Sequence, residues 1–206
     1  MRYISLGLIA LLLILTPISS VGQTFYKFGL EVSPYPLPAD GGSYPLYITL
    51  LGPDGVPVKA PEDITVYLYS SDPRIVSLER TVILPKGSYY IKTYINASRV
   101  EGSVLITAAA DGVEAGTLEV ETAYPYGEPV KIGIYSRPSV ILPFEDTEAT
   151  LIVQLEDGTG HPVKADKDIL VRLTLSDNDL ADVPSSVVIR EGTSKSEVKL
   201  KPRGVV

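Results

Sequence analysis

Beyond residue 23 the chain alternates apolar and polar positions. Leu46, Ile48 and Leu50 interleave with Tyr47 and Thr49, and Ile64, Val66 and Leu68 interleave with Thr65, Tyr67 and Tyr69. A period of two sends successive side chains to opposite faces of an extended strand, so these segments read as half-buried strands. The pattern predicts strands over 25–33, 43–51, 63–71, 80–85, 88–96, 103–110 and 115–122. Turn residues punctuate them at Gly52-Pro53-Asp54-Gly55, at Asp111-Gly112 and at Glu156-Asp157-Gly158-Thr159-Gly160. No stretch after residue 23 carries a 3.6 period of helical length. The expected class is all-β.

The pattern then repeats. Pro57-Val58-Lys59-Ala60 returns as Pro162-Val163-Lys164-Ala165, and 37–101 aligns without a gap on 142–206. Eighteen of those 65 positions are identical, ten of them between Pro57 and Asp72, a density that chance does not produce at one offset. Upstream, Phe28-Gly29-Leu30 matches Ile132-Gly133-Ile134 at an offset one residue shorter. The first copy holds about seven strands in about 100 residues, as an immunoglobulin-like (Ig-like) sandwich does. The expected organisation is a signal segment over 1–22, a first Ig-like sandwich over 23–123, a linker over 124–129 and a second sandwich over 130–206. Val206 aligns with Glu101, so the second sandwich is expected to lack its last two strands, the counterparts of 103–110 and 115–122. A fragment of a longer repeat protein, a strand donated by another subunit and a shorter fold are the three readings of that gap.

Leu37-Pro38-Ala39-Asp40-Gly41, an alternating strand, Asp54-Gly55-Val56-Pro57-Val58 and a further strand follow in that order. The order resembles the bacterial Ig-like repeats of invasin- and intimin-type surface proteins. The second copy keeps Leu142-Pro143 and Asp157-Gly158-Thr159-Gly160-His161-Pro162-Val163 but departs at Phe144-Glu145-Asp146. The resemblance implies rigid spacers of cell-surface proteins, in which a terminal domain often does the binding. It carries over no catalytic residues.

The start of the chain has a different pattern. Arg2 precedes an apolar run from Ile4 to Leu15, followed by Pro17-Ile18-Ser19-Ser20-Val21-Gly22. That is the order of a secretory signal helix, with Ser20 and Gly22 small enough for the peptidase site and Gln23 the new N-terminus. An uncleaved membrane anchor is the rival reading, since Ile4 to Gly22 carries no charge. Both put the remainder outside the cytoplasm, secreted or at the cell surface.

Composition narrows the chemistry. Cys is absent, so a disulfide scaffold, a thiolate metal site and a thiol nucleophile are excluded. One His leaves no multi-His zinc site. A net charge of −7 argues against nucleic acid, whose phosphates call for clustered Lys and Arg. No enzyme, cofactor or metal is expected, and the recurring Asp54, Asp63, Asp72, Asp157, Asp168 and Asp177 read as turn carboxylates. Tyrosine is unevenly spread: residues 23–127 hold eleven and 128–206 only Tyr135. By alternation Tyr47, Tyr67, Tyr69, Tyr90 and Tyr94 point outward and form the candidate binding face, aromatic contact area with a polar tip. Asn96-Ala97-Ser98 is a glycosylation sequon. The function read from these features is a spacer or adhesive module. Its expected partners are cell-envelope proteins, surface glycans, further repeats or copies of itself. A filament subunit joined by strand donation and a carbohydrate-binding module are the alternatives.

Overall fold

The computed structural model describes residues 26–124, 127–142 and 148–203. The expected signal segment lies outside them. All regular structure among the described residues is β, and none of it is a helix long and apolar enough to cross a membrane.

The first repeat forms β1 (Tyr26–Val32), β2 (Leu37–Pro38), β3 (Ser43–Leu51), β4 (Ile64–Ser70), β5 (Val76–Leu78), β6 (Thr81–Leu84), β7 (Tyr90–Ala97), β8 (Gly102–Ala110) and β9 (Val113–Ala123). The seven expected strands are all present, and the very short β2 and β5 are additional. The strands follow one continuous path, β5-β7-β3-β1-β9-β8-β4-β6, with β2 also pairing β9. The inward sets of the alternating strands form one core: Leu46, Ile48 and Leu50 from β3, Val66 and Leu68 from β4, Ile95 from β7, and Val104, Ile106, Ala108 and Val120 from β8 and β9. The two halves of the path meet where β1 runs parallel to β9, at Tyr26↔Val113 and Lys27↔Glu114. Gly116 makes that approach possible. A Cβ there would stand 2.3 Å from the Phe28 carbonyl oxygen.

The second repeat forms β10 (Lys131–Arg137), β11 (Ala149–Glu156), β12 (Ile169–Arg172), β13 (Ala181–Asp182), β14 (Ser186–Ile189) and β15 (Lys195–Pro202). They are the counterparts of β1, β3, β4, β5, β6 and β7. β10-β11-β15-β13 make one sheet and β12-β14 a second pair. A separate core lies between them, built on Val153, Leu155, Ala165, Val171, Leu173, Val187 and Ile189. Among the described residues no counterpart of β8 or β9 follows.

The identities between the copies fall where the backbone makes the same bonds. Val58 N donates to Leu50 O, and Val163 N donates to Leu155 O. Ala60 N reaches Ser88 O, and Ala165 N reaches Thr193 O. Asp63 accepts from Lys86 N at 2.8 Å, and Asp168 accepts from Glu191 N at 2.9 Å. Gly87 and Gly192 hold φ of 80° and 77°, which a side chain disfavours. The shared Pro-Val-Lys-Ala and Asp residues thus lock one crossing from sheet to sheet, twice.

Candidate interaction surface

The five outward tyrosines do not form one face. Tyr47, Tyr90 and Tyr94 lie on β3 and β7, while Tyr67 and Tyr69 lie on β4, in the other half of the strand path. Tyr47 corrects the expectation most sharply: it is 1% exposed. Both faces of β3 are buried from Tyr44 to Leu50, and so are both faces of β11 from Ile152 to Glu156. The alternation is intact, but the outward face of each of these two strands is covered too.

The second repeat covers it. The outer face of β3 and β7 meets the second repeat. The Tyr90 hydroxyl donates to Glu148 O at 2.8 Å, and the Lys92 ammonium pairs with Glu197 at 3.5 Å. Lys92 also lies over the rings of Tyr47 and Tyr94, with its nitrogen 5.6 and 5.8 Å from their centroids. Lys195 pairs with Glu197 at 2.7 Å and reaches over the Tyr44 ring. At the rim, Ser139 N donates to Glu31 at 2.8 Å and Arg137 Nε donates to Val32 O at 3.3 Å. The aromatic face of the first repeat is therefore a seat for the second, with a cation–π contribution of about 0.5–2 kcal/mol per well-placed pair.

The charges there are tuned by this packing. Burial pushes the Glu197 carboxyl up, but Lys195 and Lys92 outweigh it, and the net effect is a lowered pKa. Glu148 is also lowered, chiefly by its hydrogen bond from Lys199. Lys92, Glu148, Lys195 and Glu197 were not legible as functional residues, because spacing within one strand says nothing about a partner more than 50 residues away.

A second polar cluster went unread as well. Glu156 is 2% exposed and accepts hydrogen bonds from the Tyr135 hydroxyl and from Gln154 Nε2, the latter at 3.0 Å. The Lys131 ammonium stands 3.4 Å from its other oxygen. Gly133 makes room for it, since a Cβ there would lie 2.1 Å from Glu156 Oε1. Burial, and then the bond to Glu156, push the Tyr135 hydroxyl up to about 12. A buried carboxylate held by these three partners fixes the local geometry.

The recurring aspartates act on their own turns. Asp54, Asp72, Asp157 and Asp177 each accept a backbone N–H two residues on. Asp63 and Asp168 accept one across the sheet crossing. Among the described residues no group of three or more acidic or His side chains could hold a metal ion.

The outer face of β8, β4 and β6 stays open, and so does the far end of β7, where Tyr94 is 52% exposed. Tyr67 is 54% exposed and Tyr69 64%, with Leu105 and Ile83 exposed on the flanking strands. Asn96 is exposed on β7, on the side shared by Tyr94 and Lys92.

Solved structures match this chain across most of its length. Domains 5–6 of the S-layer protein SbsC match with 16% identity and a TM-score of 0.46, over 86% of this chain and 94% of that one. The D0-D1 domain of intimin matches with 15% identity and a TM-score of 0.38, over 84% and 83%. The chain resembles the Ig-like domains of invasin- and intimin-type surface proteins. A glycosyl hydrolase family 2 member from Bacteroides cellulosilyticus matches half of this chain over 14% of its own, at 11% identity and a TM-score of 0.42. With TM-scores below 0.5, none of these speaks for what this chain binds. No protein-family model and no curated protein matches the sequence.

Proposed function

We propose that the chain is a non-catalytic structural or adhesive module of the cell surface, two Ig-like sandwiches stacked into one stiff unit. The seating of the second repeat on the tyrosine face of the first carries this reading. An ion pair, a tyrosine hydrogen bond and side chains buried on both faces hold the two repeats together in a way a free linker does not. The apolar leader read from the sequence supports export. Tyr67, Tyr69 and Tyr94 are then the exposed tyrosines available to an envelope protein or a surface glycan, and Asn96 is open to glycosylation.

Protease treatment of intact source cells tests the placement. Loss of the protein without cell lysis is the expected result, and full protection until lysis would sink it. Tyr67→Ala and Tyr69→Ala test the contact face. Each is expected to lower binding to cell-envelope extract or glycan arrays at least tenfold while leaving the fold unchanged by circular dichroism.

A further inference from the structure

The crossing from sheet to sheet is made twice with the same backbone bonds, so its side chains can be compared copy by copy. In the first repeat the Lys59 ammonium lies over the Tyr89 ring, 5.3 Å from its centroid. Their mates in the second repeat are Lys164 and Ser194. Ala165 N donates to Thr193 O and Gly192 N to Ala165 O, as Ala60 N donates to Ser88 O and Gly87 N to Ala60 O. The backbone therefore sets Lys164 beside Ser194 as it sets Lys59 beside Tyr89. The ring has been replaced by a hydroxymethyl group. Lys164 is exposed and has no ion pair or aromatic partner among the described residues.

Ser194 lines a cleft of about 300 Å³ between the repeats, walled by Asp40 and Tyr44 on one side and by Lys164 and Lys195 on the other. Tyr44 is buried, and its hydroxyl donates to Asp40 Oδ1 at 2.7 Å, where Gly42 N also donates at 2.8 Å. The Asp40 carboxylate is thereby fixed in place, with Oδ2 outside both bonds. Lys195 is held over the Tyr44 ring, 5.9 Å from its centroid, and by Glu197. Lys164 is the ammonium without such ties. The cleft stands at the lower end of the volume range of small-molecule sites, about 300–1,000 Å³, and like them it brings a few polar groups together.

We propose that this cleft binds a uronic acid unit of an acidic polysaccharide, gripped by both repeats at once. The sugar carboxylate pairs with the Lys164 ammonium, a charge-assisted bond that a neutral sugar cannot make. The sugar hydroxyls donate to Asp40 Oδ2 and exchange hydrogen bonds with the Ser194 hydroxyl. Pro38 gives an apolar wall for the C–H edge of the ring. The mixed sign of the cleft selects a hydroxylated anion. The side chains of an acidic peptide would bring Asp40 a like charge and no hydrogen to accept. The inference rests on the cell-surface reading only for where the polysaccharide is met; the cleft itself needs the stacked repeats and nothing more.

Trigalacturonic acid serves as the probe, titrated into the full chain and followed by amide chemical shifts. The expected result is saturable one-to-one binding at millimolar concentration, with the largest shifts in 38–44 and 192–195. Maltotriose, which has the hydroxyls without the charge, and triglutamate, which has the charge without the hydroxyls, should each bind at least tenfold more weakly. Lys164→Gln should weaken probe binding at least tenfold. Ser194→Tyr, which restores the ring that Tyr89 supplies in the first repeat, should do the same by filling the cleft. An unchanged radius of gyration shows that the repeats stay stacked in each variant; if Ser194→Tyr alters it, Lys164→Gln alone decides. Three results would overturn the site. They are no saturable binding, equal binding of maltotriose or triglutamate, and probe binding that Lys164→Gln leaves intact. Because purified protein is used, the outcome is separate from protease treatment of cells: either can fail while the other holds.

Discussion

Tyr47 is the side chain whose neighbourhood says most about this protein. Its ring is buried between the repeats, and its hydroxyl has only the Lys92 ammonium near it, short of good hydrogen-bond geometry. A buried hydroxyl without a partner costs about 1–3 kcal/mol of desolvation. Tyr47→Phe is therefore expected to leave stability unchanged or raise it by about 1 kcal/mol in urea unfolding. A loss above that size would mean the hydroxyl is engaged. Tyr135 predicts the opposite kind of behaviour. Its folded pKa lies above the ordinary 10, so the folded state holds this proton more tightly than the unfolded chain. The contribution is complete below pH 10 and is lost as pH rises through about 12. Tyr44 and Tyr90 shift in the same direction, each with burial as the first cause. Tyr135→Phe should accordingly flatten part of the alkaline stability loss, read as the difference in unfolding midpoint between pH 9 and 11. An unchanged pH slope would count against the Glu156 bond.

Among the strands, those of the first repeat were readable almost to the residue. The alternation gave 43–51 for β3 and 103–110 for β8, and the observed spans are Ser43–Leu51 and Gly102–Ala110. β2 and β5 were missed because two or three residues cannot display a period. What alternation cannot register is whether an outward face meets water or another sheet, which is why Tyr47 was misjudged. Gln154 and Glu156 were likewise polar residues on an outward set, and they are buried. The glycine pattern was visible, but its reason is spatial. Gly116→Ala would drive a Cβ into the backbone of β1, where no rotamer can relieve it. Overpacking of this kind costs about 1–3 kcal/mol, so its denaturant midpoint should fall accordingly. An Ala variant of wild-type stability would show that β1 and β9 can part without loss.

For the molecule as a whole, the decisive contact is the ion pair between Lys92 and Glu197. Both side chains are about one-third exposed, so a coupling near 0.5–1 kcal/mol is expected, weaker in salt. Lys92→Glu should loosen the two repeats and raise the radius of gyration measured by small-angle X-ray scattering. The exchanged pair Lys92→Glu with Glu197→Lys should restore it. A radius that ignores both changes would place the stacking elsewhere. Acid should act like the single substitution. Glu197 has a lowered pKa in the folded state, so its contribution is present above the ordinary carboxylate range and is lost as pH falls below it. The repeat itself was legible from eighteen shared residues, but the mutual packing of its copies was not. The contacts use positions where the copies differ, such as Tyr90 against Lys195 and Lys92 against Glu197.

The parallel pairing of β1 with β9 also sets an order of events in time. β1 is the first strand of its sandwich to be synthesised, and Val113 at the start of β9 comes long after it. Contacts between such distant segments form late and slow the folding of β proteins. A chain that emerges N-terminus first cannot close its first sandwich until β9 is free to turn back on β1. Until then, Phe28 and Leu30 stand uncovered, and the nascent first repeat passes through a stage with an open edge at β1.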